Sequence, residues 1–106
     1  MYEKTDKRRI YELIDMYLNE KIDAPTFCYE FYFSYDLELD HKLLTEDEYK
    51  AFYELSQTTS RFSEFKEDFE KYPGVYRTKE ELKQKITQTK HELKKYFKEL
   101  ENPEEK

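Results

Sequence analysis

The sequence predicts an all-α fold: an antiparallel four-helix bundle with a short helical or irregular connector before the last helix. Apolar residues recur at helical spacing in several segments. Two segments open with the Thr-x-x-Glu pattern of a capping box. One glycine and three prolines leave little material for the tight turns of a β protein. Because no single helix could bury its apolar stripe alone, we expect one domain spanning residues 1–106.

The first helix is predicted over residues 5–22. Its apolar positions follow the i, i+3, i+4, i+7, i+8 pattern of an amphipathic helix. Thr5 or Asp6 can cap its amino end. The residues of the stripe are Ile10, Leu13, Ile14, Tyr17 and Leu18.

Residues 27–40, FCYEFYFSYDLELD, allow two interpretations. Apolar side chains occupy every odd position from 27 to 39, which is typical of a strand. A strand would need a pairing partner, and the chain offers no convincing one. A helix has its start signals in place, with Asp23 as N-cap and Pro25 in the first turn. We therefore predict a helix and keep the strand as the alternative.

In the helical interpretation this stretch has two faces. Residues 27, 31 and 35 form the core face, with Cys28 and Tyr32 beside it. Four residues lie roughly opposite and have no evident structural role, so they are the first candidates for binding a partner. They are Tyr29, Phe33, Asp36 and Asp40.

A third helix is predicted from Thr45, whose capping box is completed by Glu48, to about Ser60. Its stripe is Tyr49, Phe52, Tyr53 and Ser56. Residues 61–76 carry Phe62, Phe65, Phe69 and Tyr72 at helical steps before Pro73-Gly74, which indicates a short helix or a packed connector.

The last helix is predicted from the capping box of Thr78 and Glu81 to Glu101. Asn102-Pro103 should end it, and a frayed tail should follow. The stripe of this helix is Leu82, Ile86, Thr89, Leu93, Phe97 and Leu100.

Composition narrows the class of protein. A charged fraction of 42% favours disorder, but 11 tyrosines and eight phenylalanines supply enough burial for a small core. A net charge of −6 makes nucleic acid an improbable direct partner and a basic protein a suitable one. The chain shows no apolar run of membrane-spanning length and no signal peptide, so we expect a cytoplasmic protein that does not bind membranes.

The sequence offers little for catalysis. His41 and His91 have no second ligand at metal spacing, and the single Cys28 has no histidine near it in sequence. We therefore predict a protein that is not an enzyme and that needs no cofactor or metal.

The acidic excess is concentrated in residues 24–60, which hold eight acidic and two basic side chains. A solvated helix face is one interpretation. The other is an anionic recognition patch anchored by aromatic side chains. Its candidate acids are Glu30, Asp36, Asp40, Glu46, Asp47 and Glu48. A second acidic cluster offers an alternative face and consists of Glu64, Glu67, Asp68 and Glu70.

Three stretches in order resemble the colicin-D-type immunity proteins: LIDMYLNEKIDAPTF at 13–27, LLTEDEY at 43–49 and RFSEFKEDFEKYPGVYRTKEEL at 61–82. The resemblance implies a four-helix protein without catalytic activity. It also implies tight inhibition of a basic, tRNA-cleaving toxin domain, whose active-site cleft meets acidic residues of the inhibitor. This chain departs from the family in its wealth of aromatic residues, and individual toxin-contacting acids do not map onto it.

We accordingly predict an immunity protein, a monomer or weak homodimer, whose partner is a basic nuclease toxin domain. The alternative is a small helical adaptor or regulatory module in which the surplus aromatic residues form a homodimer interface.

Overall fold

The computed structural model describes residues 1–101, and the predicted end of the last helix at 102–103 and the tail beyond it lie outside that range. The α-helices are α1 (Arg8–Leu18), α2 (Ala24–Phe31), α3 (Glu46–Thr59), α4 (Lys66–Lys71), α5 (Lys79–Glu92) and α6 (Lys94–Glu101). A π-helix, Tyr32–Glu38, continues α2, and a 3₁₀ turn, His41–Leu43, precedes α3. The all-α prediction is confirmed. The strand alternative for residues 27–39 is wrong.

Helix α1 buries the predicted stripe, since Ile10, Leu13, Ile14 and Tyr17 all lie in the core. It begins at Arg8, later than predicted. The Asp6 carboxylate accepts a hydrogen bond from the Arg8 amide at 2.9 Å, so Asp6 satisfies a backbone donor at this end.

Helix α2 starts as predicted. The Asp23 carboxylate accepts a hydrogen bond from the Thr26 amide at 3.0 Å, and Pro25 lies in the first turn. From Tyr32 the predicted helix continues as the π segment (Tyr32–Glu38), so the side-chain positions expected from 100° steps are wrong there. The Leu39 amide donates to the Ser34 carbonyl at 2.7 Å, five residues back.

The π segment explains which aromatic side chains reach the core. The buried residues Phe27, Phe31, Tyr35 and Leu39 are spaced by four. In a continuous α-helix each step of four overshoots a turn by about 40°, so the stripe would drift away from the core. A π-helix has more residues per turn. The same spacing of four therefore brings the stripe back toward the core, and Tyr35 and Leu39 stay buried.

Helix α3 has the predicted capping box: Thr45 and Glu48 each accept a hydrogen bond from the other's amide. The predicted stripe is only partly correct. Phe52 is buried together with Ala51 and Leu55, whereas Tyr49 and Tyr53 are about half exposed.

The last predicted helix is two helices. The capping box of Thr78 and Glu81 is confirmed, but the helix breaks at Leu93, whose φ of −109° and ψ of 23° are not α-helical. Leu93 still reaches the core. Residues 1–101 thus form six α-helices where the sequence predicted four.

The core lies where α1 contacts α2 and α5, and where α3 contacts α5 and the π segment. Residues 61–77, here called the α4 arm, pack against it through Phe62, and most of their other side chains are exposed. Their base is closed by two backbone hydrogen bonds, Ser63 amide to Arg77 carbonyl at 3.2 Å and Arg77 amide to Arg61 carbonyl at 2.8 Å. Helix α4 itself has no buried residue, and Phe65 is 67% exposed.

Candidate functional site

The π segment separates the four residues predicted to share one face. Tyr29 and Phe33 remain together, with ring centroids 4.6 Å apart in an edge-to-face contact. The Lys4 ammonium lies 5.6 Å from the Phe33 ring centroid. This pair therefore sits beside the amino-terminal segment and one of its cations.

Asp36 lies on a different side, next to Tyr35. The Asp36 charge is close enough to the Tyr35 hydroxyl to raise the pKa of Tyr35. Tyr49 and Tyr53 of α3 are also close enough to raise it. Glu46 precedes Tyr49 by three residues and Tyr53 by seven, which places it on the same side of α3. We call the set formed by Tyr35, Asp36, His41, Glu46, Tyr49 and Tyr53 the tyrosine face.

His41 connects the two halves of the tyrosine face. Its ring stacks on Tyr35 at 4.3 Å between centroids and meets Tyr49 edge-to-face at 6.0 Å. Nε2 lies 2.7 Å from the Tyr35 carbonyl, so this nitrogen is the protonated one and donates the hydrogen bond. Tyr49 and Tyr53 stack one turn apart with rings tilted by only 2°. The tyrosine face is a continuous row of rings contributed by three elements: the π segment, the 3₁₀ turn and α3.

The turn before α3 is fixed by its own acid. The Asp40 carboxylate accepts a hydrogen bond from the Lys42 amide at 3.0 Å and remains exposed. This contact orients the 3₁₀ turn that carries His41 while leaving the Asp40 charge accessible.

The electrostatics of the tyrosine face are dominated by carboxylates. Burial, together with the nearby Tyr49, Asp36 and Tyr53, raises the pKa of Tyr35 to about 12, so its hydroxyl stays protonated. Between residues 36 and 47, five acids make no ion pair with a described residue: Asp36, Glu38, Asp40, Glu46 and Asp47. Lys42 and Lys50 are the only cations between residues 36 and 53. The surface therefore carries a net negative charge free to meet a partner.

Two predicted contact acids serve the fold instead. Glu48 is 1% exposed, and its carboxylate accepts hydrogen bonds from the Tyr11 hydroxyl at 2.5 Å and the Lys7 ammonium at 2.9 Å. Glu30 is half-buried and pairs with Arg9 at 3.2 Å. The prediction that Glu48 faces a partner is wrong, because a buried carboxylate with these partners has no free surface.

The second predicted cluster lies on the α4 arm and is only partly free. The Asp68 carboxylate accepts a hydrogen bond from the Ser63 hydroxyl at 2.5 Å, and Glu70 lies 3.8 Å from Lys66. Glu64 and Glu67 are exposed and pair with no residue of the described chain. The two clusters lie on different elements, the first on α2, the π segment, the turn before α3 and the start of α3, and the second on the α4 arm.

Sequence reasoning missed His41, Tyr49 and Tyr53 as surface residues. Helical spacing assigned both tyrosines to the core stripe of α3, because nothing in the sequence showed that Glu48 and Ala51 would take that place. One signal was present: α3 carries apolar side chains on more than one face, so some of them had to be exposed.

Three further observations concern metal binding, thiol reactivity and membrane-spanning helices. No group of three or more His, Cys, Asp or Glu side chains in residues 1–101 is arranged to hold a metal ion. Burial raises the pKa of the Cys28 thiol to about 12, which keeps it in the unreactive protonated form. Over the same residues no helix combines the length and apolarity needed to cross a membrane.

No protein-family model matches the sequence, and no significant match was found among curated proteins or solved structures. The colicin-D-type resemblance is therefore neither supported nor opposed by relatives.

Proposed function

We propose that this chain is an immunity protein that binds a basic nuclease toxin domain and occludes its active-site cleft. The observation that carries the proposal is the tyrosine face with its neighbouring acids. Carboxylates without an internal ion pair surround exposed aromatic rings on one part of the surface. The order of sequence features resembling colicin-D-type immunity proteins is the second support.

The chemistry of a nuclease explains why such a surface would inhibit it. A cleft that binds the phosphate backbone of RNA must present lysine and arginine side chains. Asp36, Asp40, Glu46 and Asp47 offer negative charges to those cations, which speeds association and suppresses neutral partners. Tyr49 and Tyr53 add the type of side chain that most often anchors protein interfaces.

In this proposal the protein acts by occupancy in the cytoplasm, where the RNA substrate lies. It contributes no catalytic residue, metal or cofactor. Glu64 and Glu67 of the α4 arm are the alternative acids for the contact with the toxin.

The test is coexpression with the product of the reading frame immediately upstream of the gene for this chain. We expect the toxin alone to stop growth and the pair to grow and copurify. The Asp36→Ala, Glu46→Ala double variant should slow association and weaken binding by about tenfold or more at low salt. The matched control, Glu80→Ala with Glu92→Ala on α5, removes the same charge from exposed positions elsewhere and should bind normally.

Abundant coexpression without any toxicity to suppress would contradict the proposal. Wild-type binding by the double variant at low salt would show that the tyrosine face is the wrong surface. In that event the same experiment with Glu64→Ala and Glu67→Ala tests the α4 arm.

A homodimeric adaptor is the second candidate, and the α4 arm favours it. Phe65, Tyr72 and Val75 expose apolar surface there that the core leaves uncovered. Sedimentation at micromolar concentration distinguishes the two functions, because a stable dimer that Phe65→Ser disrupts, without any toxin partner, supports the adaptor.

A further inference from the structure

Aromatic rings and cations meet repeatedly in this molecule. The chain places its own cation over the rings of four residues: Arg8 over Tyr2, Lys4 over Phe33, Lys90 over Phe97 and Lys95 over Tyr96. Within residues 1–101 no cation covers a ring of the tyrosine face. Tyr49 and Tyr53 are about half exposed, so each ring keeps accessible surface beside its contacts with His41 or with the other tyrosine.

Two hydroxyls of the tyrosine face are unpaired as well. Those of the exposed Tyr49 and Tyr53 make no hydrogen bond to another described residue, whereas Tyr35 is only 4% exposed. Tyr11 shows the contrast, since its hydroxyl is fully used by Glu48 at 2.5 Å. The tyrosine face therefore combines free ring surfaces, free hydroxyl acceptors and the Asp36 and Glu46 carboxylates.

One ligand chemistry uses all three features. A guanidinium group is planar, stacks on an aromatic ring and donates paired hydrogen bonds to a carboxylate. An ammonium group is a compact, strongly hydrated charge that stacks poorly. We propose that the tyrosine face is an arginine-binding surface. A guanidinium of the basic partner lies against Tyr49 or Tyr53, and Asp36 or Glu46 accepts its hydrogen bonds.

The identity of the partner rests on the proposed function, but the recognition chemistry does not. Lys50 borders the tyrosine face one residue beyond Tyr49 and makes no ion pair with a described residue. It lies about 100° around α3 from that ring, so it flanks the open ring surfaces without filling them.

The test uses two peptides of equal length and charge, an oligoarginine and an oligolysine, titrated into the whole protein. We expect the arginine peptide to bind several-fold more tightly and to shift the NMR signals of Tyr49 and Tyr53. Tyr49→Ala with Tyr53→Ala should weaken arginine binding by about fivefold and leave lysine binding nearly unchanged. Tyr49→Phe with Tyr53→Phe keeps the rings and should retain most of the preference.

Tyr29→Ala and Tyr72→Ala are matched controls, because both are exposed tyrosines with an aromatic neighbour outside the tyrosine face. Equal affinity for the two peptides, or a preference for arginine that survives loss of both α3 rings, would overturn the inference. A ring-dependent preference in a protein that neutralises no toxin would leave the inference standing and remove the proposed function. Neutralisation of a toxin by a protein that shows no ring-dependent preference for arginine would overturn the inference and leave the proposed function standing.

Discussion

At the scale of single residues, the buried carboxylate of Glu48 is the feature on which the amino ends of α1 and α3 meet. It joins the Tyr11 hydroxyl, the Lys7 ammonium and the Thr45 amide, at 2.5 to 2.9 Å. Burial alone would raise the pKa of Glu48, but the hydrogen bonds from Lys7, Tyr11 and Thr45 outweigh it, and its pKa is lowered. A capping residue therefore doubles as the centre of a polar contact between two helices.

Tyr11→Phe removes one donor from this carboxylate while keeping the ring against Phe52 and Phe97. We expect a loss of about 1–3 kcal/mol in the free energy of unfolding, since a hydrogen bond to a buried charged group is broken. Urea unfolding measures it. Tyr29→Phe, which deletes an exposed hydroxyl, should change stability by less than about 0.5 kcal/mol. Equal effects of the two variants would contradict this assignment.

The lowered pKa of Glu48 also predicts a pH dependence. A carboxyl whose pKa is lower in the folded state stabilises the fold above its unfolded value of about 4.3. That contribution disappears as pH falls through the folded pKa. The stability difference between wild type and Glu48→Gln should therefore be largest near neutral pH and shrink below about pH 4.3. Unfolding curves that keep the same separation across this range would show that the Glu48 charge is not involved.

At the scale of elements, the sequence predicts helix starts and buried stripes correctly where a local residue pattern determines them. The Asp23 cap, both capping boxes and the stripe of α1 appear as predicted. The π segment did not follow from the sequence, because its register is set by the demand that Tyr35 and Leu39 both reach the core. The break at Leu93 did not follow from the sequence either, because the apolar spacing continues through it to Phe97 and Leu100.

The register of the π segment can be tested by two leucines at its end. Leu39 is 7% exposed and Leu37 is 53% exposed, although both follow the same alternating pattern in sequence. Leu39→Ala should cost about 2–4 kcal/mol through lost burial and a residual cavity. Leu37→Ala should cost less than about 0.5 kcal/mol. Chemical denaturation of both variants measures the difference, and similar losses would be incompatible with the π register.

In the candidate site, too, the sequence shows some features and only the packed structure shows the others. The concentration of acids in residues 24–60 was visible in the sequence, and the exposed Asp36, Asp40, Glu46 and Asp47 lie within it. The sequence did not show which of those acids would turn inward and which would stay exposed. Only the packed structure shows that Glu48 turns inward to Tyr11 and that Asp36 lies beside Tyr35, away from Tyr29.

At the scale of the whole molecule, the chain divides into a packed core and the α4 arm. The arm is mostly exposed, is closed at its base by the backbone contacts of Ser63 and Arg77, and turns at Gly74, whose φ is +81°. Few buried contacts restrain it, so it should open locally at a lower free energy than α1, α3 and α5 require. Amide hydrogen exchange at residues 64–76 should then be faster than in those helices.

Gly74→Ala separates local from global stability. An added Cβ meets no atom within 4 Å, so the only cost is the positive φ, about 1–2 kcal/mol. If the α4 arm opens independently, this strain raises exchange within residues 64–76 and leaves the melting temperature of the core almost unchanged. A drop of several degrees in the global melting temperature, with uniform exchange, would mean that the arm and core unfold together. In the first outcome the proposed toxin would meet, at Glu64 and Glu67, a segment that opens more readily than the tyrosine face, which α3 and the π segment support.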